Sequence, residues 1–341
     1  MEQVRNVSRP IKIVMYGIAH DHAPMTMTTL KKYPDVFDIV GMIEPNEEFR
    51  KTYGTMPEFE GIPYITEEEM FARGDVEAAA IESHEYVSVE YAQKCVDHGI
   101  ASHLDNPGGI DMPAFKKVLT DAENKNIPWQ MGYMYRQNPA FKYVLEKVKE
   151  GKIGEITGID GTFSILHKDE KRKWLAQFPG GMMFFIGCHI IDMIMLLNGT
   201  PTGVHAFNRS SDINCDHACD SAFAVLDYPH GVCSIRSNAT DINGYARREL
   251  NVVGTKGTLH IQPLECPTVM YECYADENSY ENRAKDVSRL VFPGYLVDRY
   301  DPMMLEFAAM VRGEFKNPIS KEYEFELQRV VMLASGMEVK E

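Results

Sequence analysis

The sequence predicts an α/β domain built on a doubly wound parallel sheet, followed by an α+β domain with a large open, mainly antiparallel sheet. Two observations lead to this fold class. In the first part of the chain, short apolar strands alternate with helical patterns, which is typical of parallel strands joined by crossover helices. From residue 156 onward, consecutive strands are joined by short turns, which is typical of an antiparallel sheet. We expect the first domain at residues 1–135 and the second at 136–341, with the last helices as candidates to pack back on the first domain.

Apolar runs set the individual elements. They predict the strands of the first domain at Ile11–Tyr16, Phe37–Ile43, Val76–Ile81, Ala101–Leu104 and Ile127–Met131, with helical patterns between them. They predict the strands of the second domain at Ile156–Leu166, Gly203–Asn208, Ser221–Asp227, Val232–Ser237, Glu249–Val253 and Thr258–Ile261. One helix, at about Met182–Leu197, interrupts the second series.

The segment after the first strand is a tight turn of small residues that leads into a helix with Pro24 in its first turn. This strand–turn–helix order is that of a Rossmann domain, in which backbone N–H groups at the helix start bind the diphosphate of a dinucleotide. Of the three glycines in that motif, only Gly17 is present, because Ala19 stands at the second position and His22 at the third. With His20 between them, these residues are predicted to contact the cofactor.

Glu44 ends the second predicted strand, where an acidic side chain accepts hydrogen bonds from the adenosine ribose hydroxyls. A carboxylate at this position repels the 2′-phosphate of NADP, and the following Pro45 and Asn46 offer no basic group to bind it. The sequence therefore predicts NAD as the cofactor. The alternative is that Glu44 is a solvated residue at a strand end.

The ends of the third and fourth predicted strands complete this site, because the carboxyl ends of parallel strands meet at one edge of a sheet. The residues predicted to line it are Ser83 and His84 after the third strand and Asp105, Asn106 and Pro107 after the fourth. For His84, an ordinary histidine in a surface loop is the alternative.

The net charge and the hydropathy of the chain argue against some classes of binding partner. The formal net charge is −15, which argues against nucleic acid, because phosphate contact needs clustered Lys and Arg. No apolar run is long enough to span a bilayer, and the beginning of the sequence has no hydrophobic signal core. These observations predict a cytoplasmic protein with no membrane partner.

The seven cysteines lack framework spacing and fit reduced thiols better than disulfides. Only Cys215, His217 and Cys219 suggest a metal site, since alternation along a strand would place them on one face. A structural zinc site normally needs a fourth ligand at recognisable spacing. We therefore expect no metal and interpret this segment as a loop entering a strand.

Several motifs, in their order and spacing, resemble those of the Gfo/Idh/MocA family of sugar and cyclitol oxidoreductases over nearly the whole chain. Besides the N-terminal Rossmann unit, they are Gly132-Tyr133-Met134-Tyr135-Arg136, Gly151-Lys152-Ile153-Gly154-Glu155-Ile156, Gly180-Gly181, Gly187-Cys188-His189-Ile190-Ile191-Asp192, Gly254-Thr255-Lys256-Gly257-Thr258 and Gln328-Arg329. The resemblance implies an oxidoreductase that acts on a small-molecule sugar, cyclitol or glycoside. It also implies a homo-oligomer formed through the broad face of the second sheet.

Two positions depart from the pattern of this family. Asn106 stands where the family usually has a lysine that contacts the reacting hydroxyl and the nicotinamide ribose, and Phe185 stands where many members have an aspartate. His189 and Asp192 are retained. An engineered change at Asn106 alone would not account for Phe185.

Oxidation of a secondary alcohol by NAD needs a base for the hydroxyl proton and donors that hold the developing alkoxide. We predict His189 as the base, since an imidazole titrates near neutral pH, with Asp192 three residues later to orient it. The other predicted substrate contacts are Asn106, Tyr135 and Arg136, together with an apolar wall formed by Trp174 and Phe185. The alternatives are a buried helix histidine, a surface arginine and ordinary core aromatic residues.

Three functions are compatible with these residues. The one we favour is an NAD-dependent dehydrogenase acting on a hydroxyl of a sugar, cyclitol or glycoside. The second is an enzyme that retains NAD and cleaves a glycosidic bond through transient oxidation. The third is a non-catalytic sugar-binding or dinucleotide-binding protein, for which the replacements at Asn106 and Phe185 are the best argument.

Overall fold

The computed structural model describes residues 9–265, 267–277, 279 and 287–339. The chain divides into two compact units. The first comprises the chain up to Met134 together with Asp298–Gln328, and the second comprises Tyr135–Val297 and Arg329–Val339. The chain therefore leaves the first unit after Met134, returns to it at Asp298 and leaves it again after Gln328.

The first unit is built on a five-stranded parallel sheet. Its strands are β1 (Ile11–Tyr16), β2 (Phe37–Ile43), β3 (Ala78–Ile81), β4 (Ala101–Leu104) and β5 (Trp129–Met131), in the order β2-β1-β3-β4-β5. A parallel bridge between Met42 and Tyr64 extends the sheet beyond β2. The strand order reverses between β1 and β3, and open α/β sheets bind their ligands at such a point, outside the carboxyl ends of the strands.

Five helices connect these strands: α1 (Ala23–Lys32), α2 (Glu47–Tyr53), α3 (Glu67–Arg73), α4 (Ser88–Asp97) and α5 (Met112–Asn124). Three of them begin at residues whose side-chain oxygens accept N–H groups of the first turn, namely Asn46, Thr66 and Asp111. Strands β3 and β4 are buried along their whole length, as expected for parallel strands covered on both faces.

The C-terminal segment of the first unit contributes α9 (Tyr300–Val311). Asp301 in its first turn forms an ion pair with Lys32 of α1. Further along α9, the Phe307 ring lies 5.7 Å from the ring of His103 on β4. This helix is therefore an integral part of the α/β unit.

The second unit is built on an eight-stranded sheet in the order β13-β12-β11-β10-β6-β9-β8-β7. The strands are β6 (Ile156–Thr162), β7 (Gly203–Ala206), β8 (Ser221–Tyr228), β9 (Gly231–Asn238), β10 (Glu249–Gly254), β11 (Gly257–Ile261), β12 (Thr268–Tyr274) and β13 (Arg289–Tyr295). Neighbouring strands are antiparallel except β6 and β9, which are parallel. Buried and more exposed residues alternate along β8 and β9, so one face of the sheet is packed and the other is open.

The remaining helices are α6 (Pro139–Lys149), α7 (Asp169–Trp174), α8 (Cys188–Asn198) and α10 (Lys321–Ala334). Helix α8 is almost wholly buried, and it approaches β6 so closely that a Cβ on Gly161 would lie 2.2 Å from the Cγ2 of Ile190. A π-helical turn at Met183–Gly187 leads into α8. In the part of the chain that the structure describes, no helix combines the length and the apolar character needed to cross a membrane.

The predicted fold class, a Rossmann-type α/β domain plus an α+β domain with a large open sheet, is confirmed. The structure adds β12 and β13, which the sequence pattern did not reveal. Strand β13 contains Pro293, lies at the edge of the sheet and pairs with β12 through two register shifts, which hides its pattern. The strand predicted at Ile156–Leu166 ends at Thr162.

Candidate cofactor site and active site

The turn after β1 passes the end of β3 at very short range. Gly17 has a φ of +85°, and a Cβ at this position would lie 2.4 Å from the Cβ of Ser83. Its N–H donates to the carbonyl oxygen of Ile43 at 2.7 Å. Only glycine combines this backbone conformation with this contact, which explains why the first glycine of the Rossmann pattern is retained.

Glu44 follows β2 and is 2% exposed, so it is not a solvated residue at a strand end. Its Oε2 accepts the N–H of Ile18 at 3.0 Å, and its Oε1 accepts the N–H of Asn46 at 3.0 Å. Burial raises the pKa of Glu44, while these two amides and the Arg50 guanidinium oppose the shift. The carboxylate holds the loop that follows Gly17, and each oxygen retains a lone pair for a further donor.

Arg50 overturns one premise of the cofactor argument, namely that no basic group stands near Glu44. In α2, its Nη2 donates to the carbonyl oxygen of Glu44 at 2.7 Å, and its guanidinium lies 5.2 Å from the centre of the Tyr64 ring. Arg50 lies six residues after Glu44 in the sequence, and a turn of helix returns it to the strand end, so its proximity to Glu44 was not apparent from the sequence. The choice of NAD over NADP stays a prediction.

His84 stands in an aromatic group after β3, with its side chain 11% exposed. Its ring stacks on that of Phe49 at 5.7 Å and on that of Tyr86 at 5.3 Å. Aromatic faces of this kind offer a surface on which a planar heterocycle can stack. The predicted cofactor residue His84 is therefore part of a group that suits an adenine ring.

Three of the predicted cofactor residues form one cluster. The Oδ2 of Asp105 lies 2.8 Å from the Nδ1 of His20 and 2.8 Å from the Nδ1 of His22. The donor atoms of the three side chains all lie within 4.8 Å of one another. Asp105 and His20 are buried, whereas the His22 side chain is 22% exposed. We call these three residues the His20 cluster.

Two further buried carboxylates stand beside this cluster. The Oε2 of Glu82 lies 3.7 Å from the Nδ1 of His20, and the Oε1 of Glu85 lies 3.7 Å from its Nε2. Burial alone would lower the pKa of His20, but the surrounding carboxylates, Asp105 above all, raise it to about 10. Burial and the nearby Asp105 hold the pKa of Glu82 well above its ordinary value. Neither Glu82 nor Glu85 was among the predicted site residues, although Glu82 directly follows β3 and Glu85 lies three residues further on.

The pKa of Asp105 indicates the charge that this residue carries in the cluster. Burial would raise this pKa, but His20 and His22 together hold it well below its ordinary value. The pKa of His103, which lies on β4, is lowered by burial. The carboxylate of Asp105 therefore carries a negative charge within the cluster.

Asn106 is bound to its own strand edge. In the orientation that satisfies its neighbours, its side-chain NH₂ donates to the carbonyl oxygen of Gly132 and to the Oδ1 of Asp105, both at 3.0 Å. The backbone N–H of Asn106 also donates to Oδ1 of Asp105, at 2.8 Å. A Cβ on Gly132 would lie 2.2 Å from that oxygen, so glycine makes room for it. Asn106 orients Asp105, and its contact with substrate stays a prediction.

The loop after Asn106, including the predicted Pro107, is clamped by Gln328 of α10. The N–H of Gly108 donates to the Gln328 Oε1 at 2.8 Å, and the Gln328 Nε2 donates to the carbonyl oxygen of Gly109 at 2.5 Å. A single amide side chain thereby satisfies one donor and one acceptor of this loop. These contacts give a structural reason for the glutamine of the Gln328-Arg329 motif.

A dinucleotide fits this edge better at its adenosine end than at its diphosphate end. The buried Glu44 suits a ribose. At the other end, amides that usually point at phosphate are used within the protein: the N–H of His20 donates to the carbonyl oxygen of Glu82 at 3.0 Å, and that of His22 to the His20 Nδ1 at 3.3 Å. The neighbouring carboxylates also disfavour an anion. The diphosphate end therefore departs from the usual pattern.

In the second unit, Tyr135 belongs to a buried network. Its hydroxyl donates to the carboxylate of Glu265, and the Arg248 Nη1 donates to the Tyr135 Oη at 3.1 Å. Arg248 also pairs with Glu265, and none of the three residues is more than 2% exposed. The predicted base, His189, lies nearby, with its ring 5.1 Å from the Tyr135 ring and 5.4 Å from the Phe163 ring.

Arg136 and Asp192, both predicted site residues, form a buried ion pair in this unit. The Asp192 carboxylate accepts from the Arg136 Nε at 2.9 Å and from its Nη2 at 2.8 Å. The two side chains are 13% and 1% exposed. The pairing of Asp192 with His189, suggested by their i+3 spacing on α8, stays a prediction. Arg136 precedes α6 in sequence and is brought to Asp192 by the fold.

Trp174 and Phe185, predicted to form an apolar wall, do lie together. Their rings are 5.1 Å apart in an edge-on arrangement, and Phe178 packs against Trp174 at 4.8 Å. The Nζ of Lys171 lies 3.3 Å from the centre of the Trp174 ring and 4.6 Å from that of Phe185. A cation therefore covers this aromatic wall, which the sequence did not suggest.

The cysteine segment that had been weighed as a metal site is a turn before β8. Asp216 and His217 have φ values of +48° and +62°, so the residues do not alternate as in a strand. The side chain of His217 is 89% exposed and bonds to the Oδ1 of Asp212 at 2.8 Å. In the described parts of the chain, the donor atoms that converge as in a metal site are those of the His20 cluster.

The combination of a doubly wound parallel sheet with an open, mainly antiparallel sheet is shared with solved structures of oxidoreductases. Residues 141–260 match the GFO/IDH/MocA C-terminal domain. The chain is 24% identical over 276 residues, or 80% of each sequence, to an uncharacterized oxidoreductase of Rhizobium meliloti. Together with the motifs in the N-terminal half of the chain, these two matches support the predicted Gfo/Idh/MocA family oxidoreductase.

Solved structures share the fold over nearly the whole chain. An oxidoreductase from Agrobacterium radiobacter in complex with NAD⁺, L-tartaric acid and magnesium has a TM-score of 0.78 and 14% identity, with 96% of each chain covered. Aldose-aldose oxidoreductase from Caulobacter crescentus has a TM-score of 0.77 and 15% identity, with 96% of this chain and 98% of that chain covered. At these identities the likeness concerns the fold.

Proposed function

We propose that this protein binds NAD at the carboxyl edge of its parallel sheet and oxidises a secondary hydroxyl of a sugar, cyclitol or glycoside. The observation that carries the proposal is Glu44, a buried carboxylate at the end of β2 that also fixes the loop after Gly17. An acidic group at this point of a doubly wound sheet is the ordinary partner of a ribose 2′-hydroxyl. Membership of an oxidoreductase family supports the same reaction class.

When bound, the nicotinamide would supply the hydride acceptor. The chain's own residues do the rest. Glu44 and the aromatic group around His84 hold the adenosine, while the strand ends at Ser83 and at Asp105–Pro107 shape the remainder of the site. His189 takes the proton of the substrate hydroxyl at an imidazole nitrogen. Tyr135, Arg136, Trp174 and Phe185 are the proposed substrate contacts.

Two observations favour competing proposals. Arg50 beside Glu44 is a group that binds a 2′-phosphate, which favours NADP. The amide of Asn106 donates to Gly132 and Asp105, which favours a relative that binds its ligand without oxidising it. Glycoside cleavage with retained NAD is a further alternative, which uses the same residues and differs from the proposed oxidation only in its net products.

Assembly and location complete the proposal. The open face of the eight-stranded sheet carries partly exposed apolar side chains such as Val232 and Tyr271, and we propose that it joins two or more copies of the chain. The described cysteines are free thiols, which fits a reducing cytoplasm. Light scattering coupled to size exclusion tests the assembly, and a monomer at micromolar concentration contradicts it.

The test is a titration with NAD and with NADP, followed by absorbance at the NADH band over a panel of sugars, inositols and glycosides. Glu44→Gln should weaken NAD binding by about 10- to 100-fold, because a hydrogen bond to a charged group contributes about 1.5–3 kcal/mol. Glu48→Gln, an exposed change four residues further on in α2, is the matched control and should bind NAD normally.

Each other outcome points to a different function. Tighter binding of NADP, abolished in Arg50→Gln, contradicts the choice of NAD. Cleavage of a chromogenic glycoside without NADH formation supports the internal redox route. NAD binding with no product from any substrate supports a binding protein, and binding of neither nucleotide refutes the proposal. Loss of turnover in His189→Ala with NAD affinity retained supports His189 as the base.

A further inference from the structure

We propose that the His20 cluster is a binding site for one divalent transition-metal ion, held by the Nδ1 atoms of His20 and His22 and the Oδ2 of Asp105. The site lies where the strand order of the parallel sheet reverses, at the carboxyl ends of β1 and β4. Its ligands lie in the first unit, at the sheet edge proposed to bind the nucleotide, but the proposal does not rest on the oxidoreductase function, because an ion can be tested there without nucleotide.

The spacing of the three donor atoms is that of ligands around one ion. Both histidine nitrogens lie 2.8 Å from the same carboxylate oxygen, and all the donor atoms lie within 4.8 Å of one another. Ligand atoms about 2.0–2.2 Å from a metal stand roughly 3 Å apart when they subtend a right angle. Small shifts of the side chains therefore suffice to admit an ion.

A second observation, independent of this spacing, is that two more buried carboxylates, Glu82 and Glu85, stand beside the cluster. Glu82 Oε2 and Glu85 Oε1 are buried and accept no hydrogen bond from the described residues, yet each lies 3.7 Å from a ring nitrogen of His20. No lysine or arginine in the described chain pairs with Glu82, Glu85 or Asp105. Buried carboxylates normally have a cationic or hydrogen-bonding partner, and a dication would supply one.

Hydrogen bonds from Asn106 fix the orientation of the Asp105 carboxylate, as the neighbours of a metal ligand usually do. The backbone N–H and the side-chain NH₂ of Asn106 both donate to the Oδ1, at 2.8 and 3.0 Å, which leaves the Oδ2 to face the histidines. Gly132 provides the space for this carboxylate. Such second contacts orient ligands and are part of most metal sites.

The donor set selects the class of ion. Two imidazoles with one carboxylate suit Zn²⁺, Co²⁺ or Fe²⁺, whereas Mg²⁺ and Ca²⁺ prefer oxygen ligands throughout. Three protein ligands leave coordination positions open. At this edge of the sheet an open position would accept an oxygen of a bound ligand, such as a phosphate or a hydroxyl. A cation would also offset the negative charge that disfavours a diphosphate here.

The experiment uses the full chain, purified without a polyhistidine tag, stripped with a chelator and titrated with Co²⁺ in the absence of nucleotide and substrate. We expect one equivalent to bind, with visible d–d absorption that Zn²⁺ abolishes by displacement. His22→Asn and Asp105→Asn should each weaken Co²⁺ binding by at least roughly 10-fold. Because no nucleotide is present, a negative result leaves the proposed function untouched, and failure of the proposed function leaves this result untouched.

The matched control is His205→Asn. His205 Nε2 bonds to Asp227 Oδ2 at 2.6 Å on the surface, so it is a histidine–aspartate pair without a second histidine. This variant should bind Co²⁺ as the wild type does. His22 is partly exposed, so His22→Asn stays informative if Asp105→Asn does not fold, as checked by circular dichroism. Absence of Co²⁺ and Zn²⁺ binding, or equal affinity in all variants, overturns the proposal.

Discussion

Replacing Tyr135 by phenylalanine tests whether this side chain serves the fold or the substrate. Its hydroxyl donates to Glu265 and accepts from the Arg248 Nη1 at 3.1 Å, in a fully buried setting. The substitution keeps the ring, whose centre lies 4.9 Å from that of Phe163. It removes these two hydrogen bonds.

A hydrogen bond to a charged partner contributes about 1.5–3 kcal/mol. The ion pair of Arg248 and Glu265 survives the substitution, so neither charge loses its counter-charge. We therefore expect the free energy of unfolding to fall by about 2 kcal/mol rather than by the summed contributions of the two hydrogen bonds. At roughly 2–4 °C per kcal/mol for a unit of this size, the Tm should fall by about 4–8 °C. Glu265→Gln, which leaves Arg248 without its counter-charge, should cost about 3–5 kcal/mol.

The assay is scanning calorimetry of each variant alongside steady-state kinetics. Tyr143→Phe is the matched control, since the Tyr143 Oη donates to Glu272 at 2.7 Å and Glu272 pairs with Arg289, but the Arg289 side chain is 73% exposed. Glu272 is buried, with its side chain 1% exposed, but after Tyr143→Phe it keeps the Tyr274 hydroxyl at 2.9 Å and the solvated Arg289, so this variant should lose less stability than Tyr135→Phe. An unchanged Tm for Tyr135→Phe together with a fall in kcat/KM would refute the structural role and support a substrate contact.

Two further predictions concern Gly132 and Glu272. In Gly132→Ala the new Cβ would lie 2.2 Å from the Asp105 Oδ1 and 2.8 Å from the Asp105 Cα, so we expect the free energy of unfolding to fall by about 1–3 kcal/mol and Co²⁺ binding to weaken. Gly158→Ala is the control and should change neither, because the atom nearest to its new Cβ is 3.5 Å away. Normal calorimetric and Co²⁺ titration results for Gly132→Ala would contradict this prediction. Burial would raise the pKa of Glu272, but hydrogen bonds from Tyr143 and Arg289 lower it overall. The ionised carboxylate therefore stabilises the folded protein above the unfolded pKa of 4.5, and this contribution is lost as the pH falls through the lower folded pKa. The Tm deficit of Glu272→Gln should therefore be largest near neutral pH and shrink below pH 4.5, and a deficit independent of pH would contradict the assignment.

The sequence placed most elements well because their signals are local. The strands Ile11–Tyr16, Phe37–Ile43 and Ala101–Leu104 have the predicted limits, since each is an apolar run bounded by turn residues. Strand β13 was not predicted, because its pairing with β12 and not its own residue pattern makes it a strand. The edge at which the candidate cofactor residues meet was also readable, because parallel strands must end on one side.

Single residues in the candidate site show the limit of such reasoning. The sequence identified Glu44, His20, His22 and Asp105 one at a time, because each follows a strand or stands at a position of a known motif. It gave no sign that two histidines share one oxygen of Asp105, since that depends on the distance between the ends of β1 and β4.

By itself, then, the sequence determined the fold class and the order and type of most elements, and its motifs indicated the family, all of which follow from periodicity, turn residues and ordered motifs. Tertiary structure alone decided which charges are neighbours. Arg50 returns to Glu44 through a turn of helix, and Asp192 finds Arg136 across elements distant in sequence. Electrostatic interactions between side chains fall off over a few ångströms, and separation along a chain does not report distances on that scale.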